Sequence, residues 1–249
     1  MKVYGLIGIN LDHSFSPVYF ENKFIKEKIT NASYKLFPIH DIRDFKSLIQ
    51  ENQDLSGLNV TIPYKQQIIP YLDELDFHAK NIGAVNTIKF IKQNNSLKLK
   101  GFNTDYLGFI DSLLPILPRK RMNALILGTG GASRAVTYAL KILDIGYKSV
   151  SRNPAGKNEL SYNQLDKNVI ENHQFIINTT PLGMHPGIEE YPLISYQYLT
   201  KNHLVYDLIY NPIETTFLRL AKEKGATIKN GIQMLEIQAD YSWKIWNDL

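Results

Sequence analysis

The stretch NALILGTGGASRAVTYALKIL, residues 123–143, most constrains what this chain can fold into. NALILG (123–128) reads as a buried strand, a glycine-rich turn follows, and GASRAVTYALKIL (131–143) reads as a helix. YKSVSR (147–152) supplies the next strand. A strand, a helix and a strand within ~30 residues make a βαβ unit, which calls for a parallel sheet with a right-handed crossover.

The same alternation runs over nearly the whole chain. KVYGLIG (2–8), YKLFPI (34–39) and GLNVTI (57–62) read as strands. SPVYFENKFIKEK (16–28) reads as a helix with Ser16 as N-cap and Pro17 at its first position. DIRDFKSLIQ (41–50) reads as a helix opened by Asp41, with Ile42, Phe45, Leu48 and Ile49 on one face. GAVNTIKF (83–90) and LKLKGF (97–102) flank QNNS and predict a hairpin. HQFIIN, LVYDLI and ATIKN supply further short strands, and residues 231–249 predict a final helix. The first part carries no glycine-rich phosphate loop; the second begins after the proline-bearing LPILPRKRM (114–122). The expected fold class is α/β in two lobes with a cleft between them, a common place for a small-molecule site.

Composition narrows the function. The chain has 249 residues, 44% hydrophobic and 21% charged, which suits a globular core rather than disorder. A net charge of +4 without a long basic block does not argue for nucleic acid or an anionic membrane. Cysteine is absent, which excludes disulfides and thiolate metal sites. The six histidines lack metal-ligand spacing, so no metal is assigned. MKVYGLIGINLDHS lacks the features of a signal peptide and no run approaches ~18 apolar residues, so the cytoplasm is the expected compartment. Trp243 and Trp246 are read as packing anchors, and Arg119, Lys120 and Arg121 as a solvated loop.

Glycines in GTGGASR (128–134) let the backbone approach a pyrophosphate, whose charge is favoured at a helix N-terminus. The third glycine of the dinucleotide fingerprint is replaced by Ser133. An NAD site places Asp or Glu at the end of the following strand to hold the ribose 2′-hydroxyl. Here that end carries Ser151-Arg152-Asn153, with Lys157 beyond. An arginine pairs with a 2′-phosphate through its fork and a serine adds a hydrogen bond, so NADP is favoured over NAD.

Four stretches of the first lobe carry polar groups that packing does not require. DHSFSP places Ser14 and Ser16 beside a helix N-terminus, where hydroxyls and free N–H groups suit a carboxylate. VTIPYK places Thr61 and Lys65 at a strand end; GAVNT places Asn86 inside a strand-like run; GFNTD places Asp105 at a helix start. Taken singly, Ser16 and Asp105 are equally caps, and Lys65 a solvated cation. Taken together, the set suits a small polyhydroxylated acid. Hydride transfer from an alcohol needs a base for the hydroxyl proton, and a lysine can serve. Asp105 either holds the lysine and hydroxyl in place or shares the proton.

HSFSP, LNVTIPYK, GAVNT, GFNTD, GTGGASR, the SR pair, NTTPLGM (178–184), YDLIYNP (206–212) and GIQMLEIQA (231–239) occur in one order that covers almost the whole chain. On these stretches the chain resembles the shikimate dehydrogenase family in its NADP-dependent biosynthetic form. The resemblance implies reversible reduction of 3-dehydroshikimate to shikimate by NADPH, a step toward chorismate and the aromatic amino acids, in a monomer or homodimer. It implies Lys65 as acid/base paired with Asp105, and Ser14 and Ser16 on the substrate carboxylate. Thr61, Asn86 and Gln238 would hold the ring hydroxyls or stand near the reacting carbon, and Tyr210 would close on the substrate. Gly128, Thr129, Gly130, Gly131 and Ala132 would cradle the pyrophosphate, Ser151 and Arg152 would face the 2′-phosphate, and Leu208 and Gly231 would line the nicotinamide side. The implied domains are a substrate-binding domain, 1–104 completed by a C-terminal helix over 232–249, and a Rossmann-type NADP-binding domain, 105–231.

Two departures stand out. The family's Asn-Arg-Thr is Ser151-Arg152-Asn153 here, and Phe77 occupies a place where relatives often carry an acidic residue. Rival readings are a relative that oxidises quinate or shikimate with NAD, a folate dehydrogenase of similar shape, and a non-enzymatic NADP-binding sensor. Arg152 argues against the first, the paired serines and GFNTD against the second, and the retained Lys65 and Asp105 against the third.

Overall fold

Alternating apolar positions in short strands produce two separate six-stranded sheets, each in its own unit of the chain. The computed structural model describes residues 1–93, 96–118 and 121–248. Asn94 and Asn95 of the expected hairpin and Arg119 and Lys120 of the basic cluster lie outside the described residues. One unit comprises Met1–Asp105 with Gln238–Leu249, the other Tyr106–Ile237.

The first unit runs β1 (Lys2–Gly8), α1 (Ser16–Lys26), β2 (Ala32–Pro38), α2 (Phe45–Glu51), β3 (Leu55–Val60), α3 (Tyr64–Gln67), β4 (Glu74–Leu75), α4 (Phe77–Ile82), β5 (Thr87–Gln93) and β6 (Ser96–Phe102). Its sheet has the order β2-β1-β3-β5-β6-β4, with β1 parallel to both neighbours and β5 antiparallel to β3 and β6. β1 is buried on both faces, as a strand covered by helices must be. Val3 and Ile7 enter a core with Phe45, Leu58 and Ile88. Tyr4 points the other way, stacks on Trp246 at 4.7 Å and meets Trp243 edge-on at 5.2 Å. The two tryptophans therefore anchor the last helix, as their sequence position suggested. The Trp246 indole N–H donates to the Ile88 carbonyl at 3.0 Å, and Gly57 leaves the space the indole fills.

Local readings shift at three places. Ser16 is not the cap of α1: Phe15 stands there in helical conformation, and the Ser14 hydroxyl accepts the Ser16 N–H at 3.3 Å instead. Asp41 caps a 3-10 turn, Ile42–Asp44, because its carboxylate takes the Arg43 N–H at 2.8 Å, and the α-helix begins only at Phe45. Asn86 precedes β5 rather than sitting inside it.

The second unit runs from α5 (Asp105–Leu113) through β7 (Asn123–Leu127), α6 (Gly131–Ile142), β8 (Gly146–Val150), β9 (Glu159–Leu160), α7 (Lys167–Asn172), β10 (Phe175–Asn178), β11 (Leu204–Asp207), α8 (Thr216–Glu223) and β12 (Thr227–Lys229) into α9 (Ile232–Asp248). α5 and α9 each cross the boundary between units. Every neighbouring pair in the sheet β12-β11-β10-β7-β8-β9 is parallel. Counted within the unit this is the 3-2-1-4-5-6 order of a Rossmann-type fold, whose chain direction reverses between β7 and β10. Among the described residues no helix is long and apolar enough to cross a membrane.

A buried carboxylate marks the end of β11. Burial pushes the Asp207 carboxyl up from 3.8 to about 6, against hydrogen bonds from Thr215, the Ile209 N–H and Asn178 that oppose the shift. The folded chain thus holds this proton more tightly than the unfolded chain. The associated stability is present below about pH 4 and is lost as pH rises through about 6, a difference of about 3 kcal/mol.

Two outcomes follow. Asp207→Asn removes this titration, so denaturant unfolding at roughly pH 4 and pH 8 should show the variant gaining about 3 kcal/mol on wild type at the higher pH; a gap that does not change with pH contradicts the assignment. Gly57→Ala puts a methyl into the Trp246 indole and should cost about 1–3 kcal/mol by the same measurement.

Candidate active site

In an open sheet, ligands gather beyond the carboxyl ends of the strands where chain order reverses. In the first unit these are β1 and β3. The chain leaving β1 carries Ser14 and Ser16 into α1; the chain leaving β3 carries Thr61 and then Lys65 on α3. Gly8 lets the two exits touch, since a Cβ there would lie 2.6 Å from the Thr61 methyl. The Thr61 N–H donates to the Ile7 carbonyl at 3.0 Å, and the Ile62–Pro63 bond is cis. α3 is then tied down by the Val85 N–H, which donates to the Lys65 carbonyl at 2.7 Å.

Lys65 Nζ lies 2.7 Å from Asp105 Oδ2, with side chains only 15% and 8% exposed. The other oxygen, Oδ1, accepts from Asn86 Nδ2 at 2.8 Å. Asp105 begins α5, where a carboxylate is favoured by the helix dipole, and its own N–H donates to Asn103 Oδ1 at 3.1 Å. Asn86 Nδ2 also lies within 2.9 Å of Thr104 Oγ1 and 3.2 Å of Gln238 Oε1, and its Oδ1 accepts the Thr104 N–H at 2.7 Å. Lysine, carboxylate and two carboxamides thus converge from α3, α5, the start of β5 and α9.

A second polar line escaped the sequence reading. Asn59, buried in β3, accepts the Tyr34 hydroxyl proton on Oδ1 at 2.9 Å and donates from Nδ2 to Ser242 Oγ at 3.0 Å. Burial raises Tyr34 well above the usual phenol range, partly offset by a hydrogen bond with Ser16. The line therefore reaches from Ser16 through Tyr34 and Asn59 to Ser242 and Thr87, whose hydroxyls are 2.7 Å apart. Asn59 sits among apolar neighbours in a strand buried on both faces, which is the signal that could have found it.

In the second unit the exits of β7 and β10 meet. Gly128 has φ +108°, a conformation that favours glycine, and a Cβ there would lie 2.9 Å from Thr179 Oγ1. Gly130 heads α6 without a side-chain cap, and a Cβ on it would meet nothing within 4 Å. The open space and the uncapped N–H groups of a twelve-residue helix fit a pyrophosphate. Thr129, Gly131 and Ala132 complete the turn, and Ser133 fills the third-glycine place by donating from its buried hydroxyl to the Gly130 carbonyl at 2.7 Å. Ser151 and exposed Arg152 lie just past β8, which ends at Val150. Leu208 follows β11, and Gly231 packs on its carbonyl oxygen so closely that no side chain could stand there.

Ser14, Ser16, Thr61, Lys65, Asn86, Asp105 and Gln238 all belong to the first unit, and Tyr210, half-buried beyond β11, belongs to the second. Among the described residues no group of His, Cys, Asp or Glu could hold a metal ion.

Residues 6–88 match the model of the shikimate dehydrogenase substrate binding domain. The chain is similar to the shikimate dehydrogenase (NADP(+)) of Methanococcus maripaludis, 41% identical over 100% of this chain and 92% of the relative. It is also similar in structure to a chorismate mutase/shikimate 5-dehydrogenase fusion protein from Clostridium acetobutylicum, 37% identical with a TM-score of 0.89 over 100% of this chain and 92% of the other. A shikimate 5-dehydrogenase from Thermus thermophilus in complex with NADP(H) and shikimate gives 27% identity and a TM-score of 0.86, covering 100% and 94% of the two chains. With likeness of sequence and fold running from end to end, the chain belongs to the shikimate dehydrogenase family.

Proposed function

We propose that this chain catalyses the reversible NADPH-dependent reduction of 3-dehydroshikimate to shikimate, in the cytoplasm, as a monomer or homodimer. The observation that carries the reading is the Lys65–Asp105 pair at 2.7 Å, with Asn86 on the second carboxylate oxygen. NADPH supplies the hydride. Lys65 gives a proton to the carbonyl oxygen during reduction and takes it back from the hydroxyl during oxidation. Asp105 holds the ammonium on one side, and its fixed second oxygen keeps it from swinging away. Ser14 and Ser16 hold the substrate carboxylate at the N-terminus of α1. Thr61, Asn86 and Gln238 take the ring hydroxyls, and Tyr210 closes on the substrate. The first unit is then the substrate-binding domain and the second the NADP-binding domain.

On the cofactor side, Gly128 to Ala132 receive the pyrophosphate, Ser151 and Arg152 the 2′-phosphate, and Leu208 and Gly231 the nicotinamide. Arg152, exposed and with no carboxylate beside it in the sequence, favours NADPH over NADH and separates this reading from an NAD-dependent quinate oxidiser.

Lys65→Ala should lower kcat for shikimate oxidation by about 10²–10⁴-fold while calorimetric binding of shikimate changes little; retained turnover would sink the assignment. Arg152→Gln should raise KM for NADPH about tenfold or more, as loss of a charge-assisted pair requires, and leave KM for NADH where it was. Equal effects on both cofactors would move the 2′-phosphate site elsewhere.

A further inference from the structure

In a 3-2-1-4-5-6 sheet the two halves of a dinucleotide lie on opposite sides of the reversal point. The glycine turn and Arg152 belong to the β7–β8 side, so the other half falls to the ends of β10 and β11. This step rests on the NADP reading above. Asn178 ends β10 and Asp207 ends β11, and the two are register partners. Both are fully buried.

Asp207 is where the local backbone bonds converge. Its Oδ1 accepts from Asn178 Nδ2 and from the Ile209 N–H, each at 3.0 Å. Its Oδ2 accepts the Thr215 hydroxyl proton at 2.6 Å, and the same Thr215 oxygen accepts the Leu218 N–H to cap α8. Asn178 turns its own Oδ1 to the Thr180 N–H at 3.0 Å and hydroxyl at 2.7 Å. Its main-chain carbonyl accepts the Leu208 N–H at 3.0 Å. The Gly231 N–H then donates to the Ile209 carbonyl at 3.0 Å, and Gly231 seats itself on Leu208. Leu208 is thus held from both sides, with Asp207 directly before it.

These partners of Asp207 are neutral, and burial of its charge costs stability at neutral pH. A carboxylate retained at such a cost calls for a role beyond packing. We propose that Asp207 is a positioning residue for the nicotinamide half of the cofactor: it fixes the backbone at Leu208 and Ile209 so that the nicotinamide meets a preformed wall. It touches no reacting atom.

The test is calorimetric titration of the full chain with NADP+ and, separately, with 2′,5′-ADP, which keeps the adenosine 2′-phosphate half and lacks nicotinamide. Asp207→Ala removes all three accepted bonds. It should weaken NADP+ about tenfold or more and leave 2′,5′-ADP within about twofold of wild type. Asp207→Asn keeps the Oδ1 acceptor and should restore NADP+ affinity to within about threefold. In steady state, Asp207→Ala should raise KM for NADPH and leave KM for shikimate unchanged. Equal weakening of both ligands, or no weakening of either, overturns the proposal. Should Asp207→Ala fail to fold, Thr215→Val removes one of the bonds to Asp207, together with the α8 cap, with little change of shape. It should weaken NADP+ about threefold without touching 2′,5′-ADP, and no difference between the ligands overturns the proposal equally. Wild-type protein that binds no 2′,5′-ADP would overturn the NADP reading itself, and this proposal with it.

Discussion

Asn86 joins parts of the first unit that are far apart in sequence. Its amide nitrogen reaches Asp105 and Gln238, 19 and 152 residues away, and its oxygen takes the Thr104 N–H. Its main-chain groups bond the Val60 N–H and the Phe102 carbonyl, so the residue is fixed before its side chain does anything. Asp105 can therefore present a fixed oxygen to Lys65, and α9 is kept against the same cluster. A carboxylate and an ammonium this far from water need such bonds, because attraction between the charges alone does not offset their desolvation.

The two sheets use one principle differently. Each gathers its polar loops where neighbouring parallel strands are reached by connections running in opposite directions. The first has no glycine turn at that point and fills it with hydroxyls, a lysine and carboxamides. The second opens it with Gly128 and Gly130 and leaves a helix end uncapped. Ser133 shows that the third glycine of the fingerprint is replaceable when the side chain folds back on the turn, here onto the Gly130 carbonyl.

Much of this was legible from residue order. β1 coincides with KVYGLIG, and the strand–turn–helix at residues 123–143 appears as β7 and α6. Periodicity is a local property and these elements are locally patterned. The two-residue strands β4 and β9 are too short to carry a period, and α8 went unread. Ser16 was misplaced as a cap because Ser14, two residues earlier, offers the same chemistry and takes the bond. Asn59 was hidden for another reason. Alternation with Leu58 and Val60 assigns it to a polar face, yet that face is covered by α9, and the bond to Ser242 spans 183 residues. Lys65 and Asp105 could be named from the sequence, whereas the Tyr34–Asn59 line that runs behind Ser16 needed coordinates.

The final helix has a consequence for how the chain is made. The second unit is a continuous segment, whereas the first is completed only by residues 238–249. During vectorial synthesis the N-terminal sheet leaves the ribosome with Tyr4 and Phe20 uncovered, because Trp243 and Trp246 follow the whole of the second unit in the sequence. The later-made unit can finish first, reversing the usual N-to-C order, and the nascent first unit waits with an aromatic face open to chaperones or to other chains.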